Sequence, residues 1–284
     1  MILFKTATSL REHLAKNASE THKIGFVPTM GALHNGHIEL IRASKNQGLF
    51  TVCSIFVNPT QFNDPKDFAH YPITIDNDLL QLANSGCDLV FLPTVAEIYP
   101  GGTEQKQVFD LGYLETILEG RYRPGHFQGV CQVVHRLLEI VCPHTLLLGQ
   151  KDYQQCMVIS KLLELSGLDT GIQIVPTLRE PSGLALSSRN LRLSEKDKEA
   201  ATAIYHSLQY LKQSVQTGPL DRYIEHAKAM LLQAGFEKID YVAIADARSL
   251  TETANWDGNT PLVGLVAAFM GGIRLIDNMV LTNE

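Results

Sequence analysis

The sequence has no excess of basic residues and no long apolar run, and each absence excludes a class of protein. It holds 24 Lys and Arg against 30 Asp and Glu, a formal net charge of −6, which argues against a nucleic-acid-binding surface. Its apolar runs are interrupted well before the length of a membrane span. It opens without a charged segment followed by an apolar signal core, so we expect a cytoplasmic protein.

Several familiar site motifs are also missing. The five cysteines are scattered and odd in number, so we interpret them as reduced core residues rather than disulfide partners. The sequence has no His-Glu-x-x-His zinc motif and no paired-cysteine knuckle. It also lacks the glycine fingerprint of dinucleotide folds and the Gly-Lys-Ser/Thr phosphate loop. Its 284 residues suffice for one large domain or two smaller ones with a good core.

What the sequence does have is an H-x-G-H turn between a predicted strand and a predicted helix. A short apolar run at residues 24–27 ends at Pro28, and apolar residues then recur near helical spacing until Gly48. The pattern predicts a helix that begins near Gly36 or His37. The free N–H groups and the positive dipole end of such a helix stabilise an anion, so the turn is typical of a phosphate site.

The residues of the turn suit a phosphate group in two further ways. Gly31 and Gly36 have no Cβ, which allows the backbone to approach a phosphate closely. His34 and His37 can both face the bound group and donate hydrogen bonds to its oxygens. Taken alone, the histidine pair also fits a surface position or half of a metal site.

Strand-like runs alternate with helical patterns as far as residue 176, which predicts a parallel sheet flanked by helices. The predicted strands cover residues 24–27, 50–57, 88–92, 145–148 and 172–175, and predicted helices cover 76–85, 129–141 and 154–165. We therefore expect a doubly wound α/β fold with a parallel sheet. Such sheets bind ligands at the carboxyl ends of their strands, where the H-x-G-H turn lies.

The pattern changes after Arg179. Ser194 resembles the start of a capping box and predicts a long helix to about Val215. A second helix is predicted over 220–234, followed by strands over 241–244, 262–269 and 273–281, with a tight hairpin at Gly271-Gly272. We expect a larger domain over residues 1–178 and a smaller C-terminal α+β domain over residues 179–284.

Two polar segments follow in the chain after the second predicted strand. Asn58 and Gln61 can hydrogen-bond a small polar substrate without adding charge, although an Asn-Pro pair also suits a simple turn. Residues 120–127 form a glycine-bounded loop before a helix, with two arginines, Arg121 among them, and a histidine. This composition is typical of anion binding, and a solvated basic turn is the alternative.

Two further segments complete the pattern. In residues 149–155, Lys151 can act as a point charge on phosphate, and Gln155 lies one turn into a helix that faces the same cleft. Asp152 fits either a helix N-cap or a ribose contact. Residues 186–190 offer two hydroxyls and a guanidinium that can close over a triphosphate, with a helix-capping loop as the competing account.

Together these segments resemble the pantothenate synthetases, or pantoate–β-alanine ligases. That family belongs to the adenylyl-transferring superfamily with the H-x-G-H signature, which also contains the class I aminoacyl-tRNA synthetases. The resemblance rests on residues 28–37, 56–62, 123–127, 149–155 and 187–190 and covers nearly the whole chain. It implies a Rossmann-like ATP domain with a smaller C-terminal lid, usually in a homodimer.

The resemblance also implies a reaction. Pantoate would attack the α-phosphate of Mg-ATP to give pantoyl adenylate and pyrophosphate, and β-alanine would then displace AMP to form pantothenate, in the cytoplasmic route to coenzyme A. Catalysis would consist of positioning and charge neutralisation, because a carboxylate is already nucleophilic. The partners would be these small molecules, with no nucleic acid and no membrane.

Residue roles follow from the same resemblance. ATP contacts would come from Met30, Gly31, Ala32, Leu33, His34, Asn35, Gly36, His37, Gly149, Gln150, Lys151, Asp152, Leu178, Leu186, Ser187, Ser188 and Arg189. The catalytic set would be His37, His34, Lys151, Ser187, Ser188 and Arg189. Substrate contacts would come from Gln61 to pantoate and β-alanine, from Gln155 to pantoate, and from Met30, Asn58 and Arg121. Asp76 and Asp78 would be the protein ligands of Mg²⁺, although aspartate is also favoured at any helix N-terminus.

The sequence departs from the family pattern at two positions. Gln150 stands where glutamate is common, and Leu186 stands where methionine is common, the latter a volume-conserving change. Two alternatives stay open at this point. Another adenylyl-transferring enzyme would be shorter and lack the Gln61 and Gln155 pair, and a nucleotide-binding protein without turnover would have lost its phosphate-contacting side chains.

Overall fold

The computed structural model describes residues 1–17, 23–63, 68–104 and 107–282, and the chain forms two compact units. The first contains Met1–Gln150 and Gln154–Pro176. The second runs from Thr177 onward and also includes the short segment Lys151–Tyr153. The sequence predicts a boundary between residues 178 and 179 and gives no sign of this separate segment.

The first unit is built on a six-stranded parallel sheet. Its strands are β1 (Ile2–Phe4), β2 (Ile24–Thr29), β3 (Phe50–Ile55), β4 (Leu89–Phe91), β5 (Thr145–Gly149) and β6 (Gly171–Val175). They lie in the order β1-β4-β3-β2-β5-β6. Strands β2, β3 and β4 are buried along nearly their whole length, as expected for parallel strands covered on both faces.

Helices lie between these strands. They include α1 (Ala7–Asn17), α2 (Asn35–Asn46), α3 (Ile75–Asn84), α4 (Val95–Ile98), α5 (Leu118–Tyr122), α6 (His126–Val141) and α7 (Tyr153–Ser166). Short 3₁₀ turns occupy Pro59–Gln61, Gly112–Glu115 and Gln150–Asp152. Helix α2 is the one that follows the H-x-G-H turn, and it buries Ile38, Leu40, Ile41 and Ser44.

The predicted doubly wound α/β fold is confirmed, although the sequence pattern does not predict helices α1, α4 and α5. The five predicted strands correspond to β2 through β6. Strand β1 was not predicted, because no proline or glycine ends the apolar run at Ile2–Phe4. Helix α6 starts at His126 rather than at Gly129. The left-handed backbone of Gly125, with a φ of 76°, ends the preceding turn and opens the helix there.

Apolar side chains from α2, α3 and the sheet fix the start of α2 relative to β2. Ile41 of α2, Leu82 of α3 and Val90 of β4 are at most 1% exposed and belong to one cluster with Val27 of β2. Burial of each such side chain stabilises the fold by roughly 1.5–3 kcal/mol. The turn between β2 and α2 is therefore attached at both ends to a well-packed core.

The second unit combines helices with antiparallel strands. It contains α8 (Glu195–Ala201), α9 (Ala203–Ser214), α10 (Asp221–Gln233), β7 (Gly218–Pro219), β8 (Lys238–Asp246), β9 (Asn255–Trp256), β10 (Leu262–Met270) and β11 (Ile273–Val280). Strands β11, β10 and β8 form one sheet in that order, and β7 pairs with β9. The predicted hairpin is confirmed, since Gly271 and Gly272 both have a positive φ and join β10 to β11.

One predicted helix is in fact two. The expected helix from Ser194 to Val215 is interrupted at Thr202, which ends α8 and precedes α9. The Thr202 hydroxyl donates to the carbonyl of Glu199 at 2.7 Å, a local side-chain bond that competes with the regular backbone ladder. The start is as predicted, because the Ser194 side chain accepts from the N–H of Asp197.

All five cysteines are free, and four of them are buried. Burial raises the pKa of both Cys87 and Cys131 to about 12, so these thiols stay protonated. Cys142 is exposed, which corrects its assignment to the core. Among the described residues, no helix is both long enough and apolar enough to cross a membrane.

Candidate functional site

The polar segments predicted from sequence follow three strands that are neighbours in the sheet. The H-x-G-H turn follows β2, the Asn58–Gln61 turn follows β3, and Gly149 is the last residue of β5. Strand β2 lies between the other two, and its chain continues to β3 on one side while β5 lies on the other. This reversal of chain order beside β2 marks the carboxyl edge where doubly wound sheets bind ligands.

The two histidines cap the start of α2 with their side chains. His34 is the N-cap residue, and its Nδ1 accepts from the N–H of Gly36 at 3.1 Å. The Nδ1 of His37 accepts from the N–H of His34 at 3.3 Å. A neutral imidazole whose Nδ1 is an acceptor carries its proton on Nε2. Each histidine is therefore fixed in the tautomer that donates through Nε2. The centroids of the two rings lie 4.0 Å apart.

The backbone before the histidines has an uncommon conformation that the carboxylate of Asp78 stabilises. Gly31 and Ala32 have φ values of 79° and 49°, and only glycine adopts this region without cost. Asp78 Oδ2 accepts from the N–H of Ala32 at 3.0 Å, and Oδ1 accepts from the N–H of Leu33 at 2.8 Å. The Thr74 hydroxyl donates to Oδ1 as well. Asp78 thus holds the turn from the first helical turn of α3.

These contacts bear on one of the two predicted magnesium ligands, Asp78. The Asp78 side chain is fully buried and both of its oxygens accept hydrogen bonds from the turn, which leaves the role of metal ligand without support. Asp76 is exposed in the same first turn of α3, and its role stays a prediction. In the described part of the chain, no three His, Cys, Asp or Glu side chains are grouped so as to hold a metal ion.

Replacement of Asp78 by asparagine is expected to destabilise the first unit. An amide offers one acceptor oxygen where the carboxylate offers two, so a buried N–H of the turn loses its partner at a cost of about 1–3 kcal/mol. Urea unfolding of Asp78→Asn measures this loss. The matched control is Asp76→Asn at an exposed position of the same turn, with an expected loss of at most about 0.5 kcal/mol. Equal midpoints for the two variants would contradict the role assigned to Asp78.

The Gln61 side chain is oriented by two neighbours. Its Nε2 lies 2.9 Å from Met30 Sδ, and its Oε1 accepts from Asn58 Nδ2 at 3.2 Å. Its backbone carbonyl accepts from His126 Nδ1 at 2.8 Å and from the Arg123 guanidinium at 3.4 Å. The structure therefore brings together two of the predicted substrate residues, Gln61 and Met30, at the ends of neighbouring strands.

Asn58 is buried at 1% exposure, and protein groups bind its side chain. Its Oδ1 accepts from the Tyr99 hydroxyl at 2.8 Å, and its Nδ2 donates to the carbonyl of Gly129 at 3.1 Å. Burial raises the pKa of Tyr99 to about 12, so this hydroxyl stays protonated and keeps donating. These contacts favour a positioning role for Asn58, and its direct contact with substrate stays a prediction.

Two side chains of the basic segment 120–127, those of Arg123 and His126, contact the Gln61 turn. Arg123 pairs with Glu119 at 3.7 Å as well as with the Gln61 carbonyl, and His126 is buried. These contacts favour support of the turn by both residues, and anion binding by them stays a prediction. Arg121 is exposed near the end of α5, and its substrate contact stays a prediction.

Helix α6 packs directly against the Gln61 turn at Gly129. A Cβ at this position would lie 2.3 Å from the carbonyl oxygen of Thr60. Gly129→Ala therefore forces the turn away from the helix and is expected to cost about 1–3 kcal/mol of unfolding free energy. The control is Gly171→Ala, where the nearest atom would be 3.6 Å away and no loss of this kind is expected. Equal urea midpoints for both variants would show that the contact is not tight.

Two adjacent glutamines at the start of α7, Gln154 and Gln155, have different surroundings. Gln154 is buried, accepts from the N–H of Glu119 at 3.0 Å and donates to the carbonyls of Leu114 and Ile117. Gln155 is half-buried in the first turn of α7, and its side chain has no hydrogen-bond partner among the described residues. This side chain is thus available to a ligand, as its predicted role requires.

The remaining predicted residues lie in the second unit. Lys151 and Asp152 belong to the segment 151–153, which two hydrogen bonds attach to this unit: Asn278 Nδ2 donates to the carbonyl of Lys151 at 2.8 Å, and the Tyr153 hydroxyl donates to the carbonyl of Ala247 at 2.7 Å. The sequence gives no direct sign of these long-range contacts.

Ser187, Ser188 and Arg189 form the start of a 3₁₀ turn in the second unit. Ser187 caps this turn, because its hydroxyl accepts from the N–H of Arg189 at 3.3 Å. The alternative prediction, a capping role for this segment, is therefore confirmed for Ser187. Contact of the three residues with phosphate stays a prediction. A backbone hydrogen bond connects the two predicted ATP-contacting leucines, since the N–H of Leu186 donates to the carbonyl of Leu178 at 3.0 Å.

Comparison with known proteins finds matches over nearly the full length of the chain. Residues 2–280 match the family described as pantoate-beta-alanine ligase. The pantothenate synthetase of Cytophaga hutchinsonii is 43% identical over 285 residues, which cover 99% of either chain. The crystal structure of pantothenate synthetase from Thermus thermophilus is 36% identical, with a TM-score of 0.91 and complete coverage of both chains.

A further solved structure contains bound ligands. It is the pantoate-beta-alanine ligase of Francisella tularensis complexed with beta-gamma ATP and beta-alanine, 37% identical with a TM-score of 0.82. It covers 99% of this chain and 98% of its own. With a family match over residues 2–280 and relatives this similar along their entire length, the chain belongs to the pantoate–β-alanine ligase family.

Proposed function

We propose that this protein condenses pantoate with β-alanine to give pantothenate, with the conversion of ATP to AMP and pyrophosphate. The observation that carries the proposal is the pair of histidines at the start of α2. Both are held by Nδ1 in the tautomer that donates through Nε2, at the carboxyl edge of the sheet beside β2. Membership of the pantoate–β-alanine ligase family supports the choice of substrates.

Two displacement steps account for the reaction. A pantoate carboxylate oxygen forms a bond to the α-phosphorus of ATP while the bond from that phosphorus to the bridging oxygen breaks, and pyrophosphate leaves with the electron pair. The β-alanine nitrogen then attacks the acyl carbon, loses a proton and expels AMP. Neither step needs a protein nucleophile, so the protein contributes orientation and stabilisation of phosphate charge.

The histidines supply donors for that charge. Nε2–H groups of His34 and His37 stabilise the phosphate oxygens, and the positive end of the twelve-residue helix α2 adds to this effect. Lys151, Ser187, Ser188 and Arg189 add two positive charges and two hydroxyls for the triphosphate and the leaving pyrophosphate. A bidentate guanidinium and a point-charge ammonium suit these two tasks.

The pantoate site uses neutral polar groups and one thioether. Gln61, oriented by Asn58, and Gln155 can hydrogen-bond the hydroxyl and carboxylate groups of pantoate, while Met30 packs against its methyl groups. Amides bind the carboxylate without lowering its charge as a cation would, so it stays nucleophilic. Contact of Gln61 with β-alanine belongs to the same proposal.

ATP enters as its magnesium complex. The described residues hold no ready-made group of metal ligands, and Asp78 is committed to the turn after β2. We therefore assign the metal mainly to the oxygens of the phosphates, as is common for Mg²⁺ at nucleotide sites.

The test is incubation of the protein with ATP, magnesium, pantoate and β-alanine, followed by measurement of AMP and pantothenate in equal amounts. ADP in place of AMP, or no product, would overturn the proposal.

The compartment and assembly belong to the proposal too. Five free cysteines fit a reducing compartment, which supports the cytoplasm. The resemblance to the family supports a homodimer. Sedimentation equilibrium of the purified protein distinguishes a homodimer from a monomer.

A further inference from the structure

Strand β11 carries two adjacent polar residues where its neighbours are mostly apolar. Asp277 and Asn278 are 5% and 2% exposed, although β11 lies at the edge of its sheet. Aspartate and asparagine are poor strand formers, and burial of either is costly without hydrogen-bond partners. Their partners therefore indicate what these two residues are for.

Asn278 holds the segment that carries Lys151. Its Nδ2 donates to the Lys151 carbonyl at 2.8 Å, and its own N–H donates to Asp277 Oδ1 at 2.8 Å. The second attachment of the segment is the bond from the Tyr153 hydroxyl to the carbonyl of Ala247. The backbone of Lys151 is thus fixed to a rigid strand by a side chain that reaches 127 residues back along the sequence.

Asp277 holds the base of the loop that leads to Ser187. Its carboxylate forms a two-pronged ion pair with Arg179, with N···O distances of 2.5 and 3.0 Å. Arg179 also donates to the carbonyl of Gly183 and to that of Asn278. An isolated antiparallel β-bridge between the backbones of Arg179 and Ala185 closes the loop just before Ser187. One charged contact therefore fixes the place where the Ser187–Arg189 turn begins.

We propose that Asp277 and Asn278 are positioning residues for adenylation, which hold Lys151 and the Ser187–Arg189 turn at a fixed spacing from one strand. The proposal rests on the proposed function, because it takes these two segments as the phosphate contacts. Lys151 follows strand β5 of the first unit in the chain, but its segment belongs to the second unit. The phosphate contact of Lys151 is therefore supplied by the second unit. Phosphate stabilisation depends on sub-ångström placement, so small shifts of either segment lower the rate.

Pantoate-dependent exchange between labelled pyrophosphate and ATP tests the proposal, since it reports the adenylation step without β-alanine. Asn278→Leu removes the donor to Lys151 at similar volume, and Asp277→Asn removes the charge opposite Arg179. Each is expected to lower the exchange rate on the order of tenfold or more and to raise the KM for ATP. The KM for β-alanine in the full reaction is expected to stay unchanged.

The same sheet offers a matched control for mere loss of stability. Asp240 of β8 is paired with Arg274 at 2.8 Å, and its side chain is 3% exposed, as is that of Asp277. Asp240→Asn removes a comparable buried charge whose ion-pair partners, Lys238 and Arg274, belong to neither phosphate-contacting segment, and it is expected to leave the exchange rate of the folded protein unchanged. Tyr153→Phe is a milder second variant that removes the other attachment of the 151–153 segment and is expected to raise the KM for ATP several-fold.

The outcomes separate this proposal from the proposed function. If Asn278→Leu, Asp277→Asn and Tyr153→Phe, measured at a temperature where circular dichroism shows them folded, exchange no more slowly than Asp240→Asn, the positioning role is wrong. If Asp277→Asn does not fold, the other two variants decide. Absence of pantoate-dependent exchange in the unaltered protein would instead overturn the proposed function, and this proposal with it.

Discussion

A His37→Asn variant is expected to lose on the order of 10²-fold or more in the rate of pantothenate formation while it keeps nearly the stability of the unaltered protein. The asparagine Oδ1 can take the place of Nδ1 and still accept the N–H of His34, so the cap of α2 survives. No atom of asparagine reaches the position of Nε2, and the donor to phosphate is lost. Turnover and urea unfolding measured on the same preparation check both halves of this expectation.

Two companion variants separate the cap from the donor. His37→Ala removes both and is expected to lose a similar factor in rate, together with about 1 kcal/mol of stability from the lost cap. His37→Gln places an amide N–H near the position of Nε2 and is expected to recover part of the rate. Near-normal turnover of His37→Asn would remove His37 from the mechanism, and equal rates for the asparagine and glutamine variants would remove its role as a donor.

Replacement of Lys151 by methionine is expected to lower kcat/KM for ATP on the order of 10²-fold. Methionine keeps most of the length of the side chain but not its charge, so the triphosphate and the leaving pyrophosphate lose a cation. The Lys151 carbonyl and its bond to Asn278 are unaffected by the change of side chain. Initial rates at varied ATP and saturating pantoate measure the loss.

The control for charge alone is Lys161→Met on the exposed side of α7. Lys161 forms a surface pair with Glu164 at 3.0 Å, and such pairs contribute at most about 1 kcal/mol to stability and nothing to phosphate binding. The kcat/KM of Lys161→Met for ATP is expected to equal that of the unaltered protein. An equal decrease in both variants would mean that Lys151 acts through net charge and not through contact.

The elements that sequence patterns predict well are those whose cause is local. Apolar runs ended by proline or glycine predict β2 through β6, and the Gly271-Gly272 pair predicts the hairpin, because a positive φ at both positions needs glycine. The break at Thr202 escapes prediction. A single threonine inside a helical pattern gives no sign that its hydroxyl will bond to Glu199.

The parts of the site that escape prediction depend on contacts between distant residues. Asp78 has a local explanation, an acid at a helix N-terminus, whereas its partner Ala32 lies 46 residues away. Asn58 and the basic loop offer amides and charges that suit a ligand equally well. Only the folded structure shows that Asn58 donates to the carbonyl of Gly129 and that Arg123 donates to the carbonyl of Gln61. The buried pair in β11 is a sign that sequence can offer, since two adjacent poor strand formers interrupt an apolar strand.

The central claim is that the pantoate carboxylate attacks the α-phosphorus of ATP, and an isotope measurement tests it most directly. Pantoate labelled with ¹⁸O in both carboxylate oxygens is converted with unlabelled ATP and β-alanine, and the products are analysed by mass spectrometry. The account predicts one ¹⁸O atom in the phosphate of AMP and the other in the amide carbonyl of pantothenate. Unlabelled AMP, or ¹⁸O in inorganic phosphate formed together with ADP, would contradict it.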